Sequence, residues 1–219
     1  MRIAHRIRRA LSVASVIALP MPVLAAGLVS VIVGGAMAAP SPVATVLAAA
    51  ARDLDFKPTE LRLFRDAESG RHYWYFIFEV VNKTGQDQRF APRIELLTDE
   101  GRIVRQGDGV PGRVQKEIKA YLKNPLLEDQ FEILGTVLQG EENARTGLVV
   151  FAADELDPTE LAVFVQGLSR ETRKTENPKT GEQVTLRKNT RIDYLVPGDP
   201  QPKGTVTYPV VATDDSIFR

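Results

Sequence analysis

The sequence predicts a mainly β chain folded as a β-sandwich. Short runs of alternating apolar and polar residues recur about every ten residues, and clusters rich in Gly, Pro, Asn and Asp divide them. Only one segment has the 3.6-residue period of an amphipathic helix. A length of 219 residues suits one domain with some elaboration, and 43% hydrophobic with 26% charged residues is a globular composition.

The first element is an address rather than part of the fold. Arg2, Arg6, Arg8 and Arg9 precede an uncharged apolar run, Ala10 to Ala39, that contains the small-residue triplet Ala36-Met37-Ala38. This is the order of a secretory signal peptide (residues 1–38), with cleavage expected after Ala38. The alternative is an uncleaved anchor, with residues 10–35 in the inner membrane. Pro20, Pro22, Gly27, Gly34 and Gly35 weaken a continuous spanning helix there. Arg8-Arg9-Ala10-Leu11 resembles the start of a twin-arginine signal without its flanking residues. On either route the body is periplasmic or secreted. Residues 39–51 form a small, apolar linker, and folded sequence begins near Arg52.

The strands follow in order. Glu60 to Arg65 alternates, Asp66-Ala67-Glu68-Ser69-Gly70 turns, and the aromatic run Arg71 to Val81 completes a hairpin. In that second strand His72, Trp74, Phe76, Phe78 and Val80 share one face, expected to be the core. Tyr73, Tyr75, Ile77 and Glu79 share the other. Asn82-Lys83-Thr84-Gly85 ends the strand with turn residues. Further strands are expected at Arg89–Thr98 and Arg102–Arg105. Val114, Ile118, Tyr121 and Leu122 then fall on one helical stripe between Pro111 and Lys123, which Asn124-Pro125 stops. Strand pattern returns at Phe131–Leu138 (Leu126–Leu138 also scans as helix), Gly147–Ala152 and Glu160–Leu168. A polar hairpin joins Arg170–Thr175 to Val184–Val196 through Asn177-Pro178-Lys179-Thr180-Gly181. Pro197 to Pro202 breaks the structure, so the domain is expected to span residues 52–196. Residues 203–219 follow as a tail with one candidate edge strand, Thr205–Val211.

Val80-Val81-Asn82-Lys83-Thr84-Gly85 and Ile94-Glu95-Leu96-Leu97-Thr98-Asp99-Glu100-Gly101-Arg102-Ile103-Val104 resemble exported bacterial immunoglobulin-like domains of unassigned function. Leu138 to Phe151 is similar to their Gly-Glu turn and following buried strand. The resemblance covers about residues 60–168 and implies an immunoglobulin-like sandwich serving as a non-enzymatic envelope module. The helix at 111–123 and the hairpin at 170–196 depart from a minimal domain of that kind. The resemblance carries no catalytic residue over.

Composition narrows the chemistry. There is no cysteine, so disulfides, thiol catalysis, thiolate metal sites and a lipoprotein anchor are excluded. Residues 52–219 hold 24 basic and 28 acidic residues, a net −4 that gives no general attraction to nucleic acid or an anionic membrane. His72 is the only histidine after the leader, which removes multi-histidine metal sites and leaves one candidate base for a serine site. Beside it stands the bland account, a strand-edge histidine. Ser41, Ser69, Ser169 and Ser216 lie in no Gly-x-Ser-x-Gly elbow. The acidic pairs Glu141–Glu142, Asp154–Glu155 and Asp214–Asp215 suit solvated loops better than a glycosidase pair. Asp154 to Asp157 and Gly107-Asp108-Gly109 lack the spacing of a known calcium loop, and the latter also lacks the lysine of a phosphate loop. No cofactor is implied. Asn82-Lys83-Thr84 matches a glycosylation acceptor but is read as a turn.

Two surfaces remain as candidates. Tyr73 and Tyr75 would make an aromatic platform for carbohydrate if exposed; the bland account has the helix at 111–123 cover them. The C-terminal hairpin carries Arg170, Arg173, Lys174, Lys179, Arg187, Lys188 and Arg191 against four acids. Such charges guard sheet edges, or form an arm for an envelope protein or extracellular polymer. The expected function is therefore a non-catalytic interaction module, with Tyr73, Tyr75, Arg173, Lys174, Arg187, Lys188 and Arg191 as its contact candidates. A carbohydrate-binding domain is the alternative, and an envelope hydrolase with an unrecognised carboxylate site the third.

Overall fold

A computed structural model describes residues 53–154, 158–198 and 206–219. The leader, the linker and residues 155–157 of one calcium-loop candidate lie outside the described residues, as does Thr205 at the head of the expected edge strand. The described chain is mainly β, with two six-stranded sheets, a two-stranded ribbon and one helix. Among the described residues no helix is long and apolar enough to cross a membrane.

The first sheet is built around β3 (His72–Asn82), the aromatic run of the sequence. One flank is shared by β1 (Asp55–Pro58), opposite Phe78–Val81, and β2 (Leu61–Arg65), opposite His72–Tyr75. Thr59 spans the break between them, exchanging backbone and side-chain hydrogen bonds with Ile77. The other flank is β9 (Gly140–Ala152), bordered in turn by β7 (Leu127–Glu128) running parallel to it. β13 (Thr207–Tyr208) closes the far edge against β2.

The second sheet runs β6 (Ile103–Arg105), β5 (Arg93–Thr98), β10 (Glu160–Gln166), β12 (Gln183–Leu195), β14 (Val210–Phe218). β11 (Thr172–Glu176) pairs only with the first residues of β12, beyond the point where β10 ends. β4 (Gln88–Phe90) and β8 (Gly135–Val137) form the separate ribbon.

The inner faces of the two sheets share one core. Trp74, Phe76, Phe78, Val149 and Phe151 from the first meet Ile94, Leu96, Val163, Val165, Ile192 and Tyr194 from the second. Both β4–β8 strands add to it through Phe90 and Val137. A second cluster lies on the opposite face of the first sheet. There α1 (Gly112–Leu122) lays Val114 and Ile118 over Tyr73, Tyr75, Leu148 and Val150. Pro111 opens the helix with a φ suited to a first turn, and Lys123 closes it in the left-handed region, donating its N–H to Lys119.

Several expectations need correction. The strand expected over Arg89–Thr98 is broken at Ala91-Pro92: Pro92 brings no N–H to a ladder, β4 joins the ribbon and β5 the second sheet. Only Gly135–Val137 of the expected Phe131–Leu138 strand is extended, because the Asp129 carboxylate accepts the N–H groups of Phe131 and Glu132 and holds a turn there. The strand expected at Gly147–Ala152 begins earlier, at Gly140. Tyr121 leaves the helical stripe and is exposed; Leu122 packs in its place. The largest difference is at the C-terminus. Beyond the break the chain is no tail: Tyr208 is buried against Trp74 in the first sheet, and past Pro209 β14 pairs with β12 in the second. Its polar sequence, Val-Val-Ala-Thr-Asp-Asp-Ser-Ile-Phe, hides an edge strand because only one of its sides meets the protein.

Candidate interaction surface

Alternation within a strand sends neighbouring side chains to opposite faces, so the register assigns each candidate to a side. Tyr73 and Tyr75 lie under α1, 0% and 3% exposed. Burial raises the Tyr75 hydroxyl above its ordinary pKa, with Arg62 beside it opposing the shift. The Tyr73 hydroxyl is buried with no hydrogen-bond partner among the described residues. Neither ring can stack on a ligand while the helix is in place, and a carbohydrate platform of exposed tyrosines is therefore corrected to a helix–sheet core.

The basic hairpin is a projecting arm. From Thr172 to Arg187 every residue is exposed except Asn177 and Leu186, which are half-buried. Its turn is held by Asn177, whose backbone N–H bonds Glu182 and whose carbonyl and side chain accept the N–H groups of Gly181 and Lys179. Gly181 has φ 71°, in the left-handed region that favours glycine.

The five basic candidates divide between two faces. Arg173 stacks on Phe218, 3.8 Å from the ring centroid, and Lys188 pairs with Asp53 at 2.8 Å and Glu171 at 3.2 Å. Asp53 first, and Glu171 with it, raise the pKa of Lys188. These contacts fasten the root of the arm to the sandwich beside an open cleft of about 490 Å³. Lys174, opposite Thr185, and Arg187, opposite Thr172, belong to the other face together with Arg191, which bonds Asp193 at 2.7 Å. Sequence alone did not separate the anchoring cations from the displayed ones.

That second face continues over the outer side of the second sheet. Glu95 on β5, 14% exposed at its side chain, accepts three guanidinium groups: Arg93 at 3.0 Å, Arg105 at 3.4 Å and Arg219 at 3.1 Å. The neighbouring Phe164 ring lies under Arg219 (4.2 Å to the centroid) and Arg191 (5.8 Å). The cluster escaped the sequence because its members come from five segments: β5, β6, β10, β12 and the end of β14. Alternation in Arg93-Ile94-Glu95-Leu96 was the one available signal that the charged residues share a face. At the other end of this face Leu97, Ala162, Leu195 and Val211 line a shallow apolar depression of about 500 Å³.

The remaining chemical candidates are engaged structurally. Asp66 is buried in the hairpin turn. Arg113 from α1 grips both its oxygens at 2.7 and 2.5 Å, and the Ser69 hydroxyl and two backbone N–H groups also bond it. Arg113 foremost, then Ser69, holds its carboxyl well below the usual range. Asn82 is fully buried, donating to the carbonyls of Gln86 and Val137 and accepting from Thr84, so its amide is a strand terminator and not an exposed acceptor site. Asp154 is paired with Arg71 and Arg102. Ser169 caps the N–H of Glu171, and Ser216 bonds Asp214. His72 is half-buried opposite Arg65. Among the described residues no group of three or more His, Cys, Asp or Glu is placed to hold a metal ion. No family model, curated protein or solved structure matches this chain.

Proposed function

We propose that the chain is an exported, non-catalytic interaction module of the bacterial cell envelope, built on an immunoglobulin-like sandwich. Pairing order supports the fold reading. β2–β3–β9 follows the A-B-E order of such domains, β7 stands in the place of D but runs parallel to β9, and β6–β5–β10–β12 follows C′-C-F-G. β13 and β14 are additions at the outer edges, and α1 is inserted between the sixth and seventh strands.

The observation that carries the functional reading is the arm. A two-stranded hairpin is marginally stable by itself, and residues 172–187 contribute almost nothing to either core. Sixteen residues of charged hairpin projecting from a packed sandwich suit contact with another molecule. β11 also leaves one edge unpaired among the described residues, where an extended segment can add as a strand. A photo-crosslinking side chain placed at Thr175 or Val184 of the full chain in its native envelope should give one discrete protein adduct. Unlabelled full chain should compete the adduct away, whereas a copy with residues 173–186 replaced by a two-residue turn should not. The same crosslink should re-form between the purified pair. Absence of any adduct from both positions would overturn the adaptor reading.

A further inference from the structure

Beyond the arm, the geometry points to a second contact surface: we propose that the arginine face of the second sheet binds a carboxylate-bearing polysaccharide. The register places Arg105, Glu95, Phe164, Arg191 and Asp214 on one transverse row across five strands. Arg93 stands one step along β5 on the same face, and Arg219 reaches in from the end of β14. Three of these guanidinium groups converge on the single carboxylate of Glu95, and with Arg191 set against Asp193 and Asp214 the face still keeps an excess of positive charge in a body whose net charge is negative.

The donors are not exhausted. A guanidinium has five N–H groups in a planar fork, and Arg105 and Arg219 each present only one to Glu95. Arg93 and Arg105 keep more than half of their side-chain surface open, 57% and 60%. Phe164 beneath Arg219 and Arg191 holds those side chains flat against the sheet. The result is a set of positioned forks with a carboxylate already at their centre. Glu95 shows which anion this geometry accepts, and a ligand carboxylate would meet the same donors from the solvent side.

A polymer fits better than a small acid because the forks span strands from β6 to β14, at about 4.8 Å per strand. An open, nearly flat face also gives a small molecule few walls. Acidic polysaccharide is favoured over nucleic acid because the acidic remainder of the body repels a chain carrying a charge every 1.7 Å or so more strongly than one carrying a single carboxylate per sugar.

The test uses the purified full chain in non-ionic detergent, with polygalacturonate as probe and neutral dextran and polyphosphate as comparisons. Polygalacturonate should bind at low ionic strength and weaken as salt screens the charges. Arg93→Gln with Arg105→Gln should raise its Kd about tenfold, the loss of one or two partly screened ion contacts. Glu95→Gln should lower the Kd about threefold, since it removes the internal competitor; a purely structural role for Glu95 would move binding the other way. Failure to bind polygalacturonate, equal binding of dextran, or preference for polyphosphate would each overturn the proposal. So would arginine variants that fold normally and bind unchanged. None of these results bears on the crosslinking test of the arm, so the two readings fail separately.

Discussion

Gly147 lies opposite Phe78 in the β3–β9 ladder, and its missing side chain is a packing requirement. A Cβ at this position would stand 2.3 Å from the tip of the Phe78 ring, far inside contact distance. The ring cannot swing aside: Phe56 stacks on it at 4.7 Å, and Phe90 and Phe76 hold it at 6.2 and 6.4 Å. Gly147→Ala therefore forces the ring or the strand to shift, at about 2–3 kcal/mol for overpacking a filled core. The lost freedom of the unfolded chain returns about 0.5–1 kcal/mol. The net is about 1–2 kcal/mol of destabilisation, or a fall in Tm of about 3–6 °C for a body of this size. Urea unfolding followed by tryptophan fluorescence reads it directly, because Trp74 is the only tryptophan and is buried in the same sheet. In a Phe78→Leu background the shorter side chain leaves room, and the cost of Gly147→Ala should shrink by about 1 kcal/mol. Unchanged stability in the single variant, or an equal cost in both backgrounds, would refute the steric account.

Four other outcomes follow from the geometry. Tyr73→Phe removes a buried hydroxyl that has no partner among the described residues and should leave stability unchanged or raise it by up to about 1 kcal/mol in urea melts. Tyr75→Ala should unfold the chain more readily, by about 3–5 kcal/mol, since the ring is core beneath α1. Asn82→Asp removes the amide donors from the buried Val137 carbonyl and the part-buried Gln86 carbonyl and should cost about 1–3 kcal/mol, seen as a lower denaturant midpoint. Asp66 has a depressed folded pKa. It therefore contributes stability above its unfolded value of about 4, and that stability is lost as pH falls through the lower folded value. Melts between about pH 5 and about pH 2 should show a shallower acid decline in Asp66→Asn than in the parent.

Much of the sandwich was legible because its strands are half-buried on a strict period. Trp74, Phe76, Phe78 and Val80 all reach the core that their alternation assigned to them, and the α1 pattern located a helix to within a residue at each end. What escaped depended on partners distant in sequence. β1, only four residues long and cut off from β2 at Thr59, has too little pattern to declare itself. The sheet change at Pro92 is invisible until two different strands claim its flanks. β14 reads as polar because its outer edge meets solvent, and its two bulges against β12 disrupt the alternation further. For the candidate surface, sequence located the cations of the hairpin, whereas their division into anchors and displayed groups follows from register. The Glu95 cluster required β5 to pair with β6 and the end of β14 to reach across β12 and β10.

The two strands flanking Pro209 also bear on how the molecule is made. β13 borders one sheet and β14 the other, so the segment after residue 206 fastens both halves of the sandwich, and it is synthesised after every other described strand. Until it emerges, β12 lacks a neighbour along Lys188–Tyr194 and Trp74 lacks the edge contact of Tyr208. Closing such long-range pairings is slow. The nascent chain would therefore stay loose until its last residues are synthesised, and folding would be completed only after that.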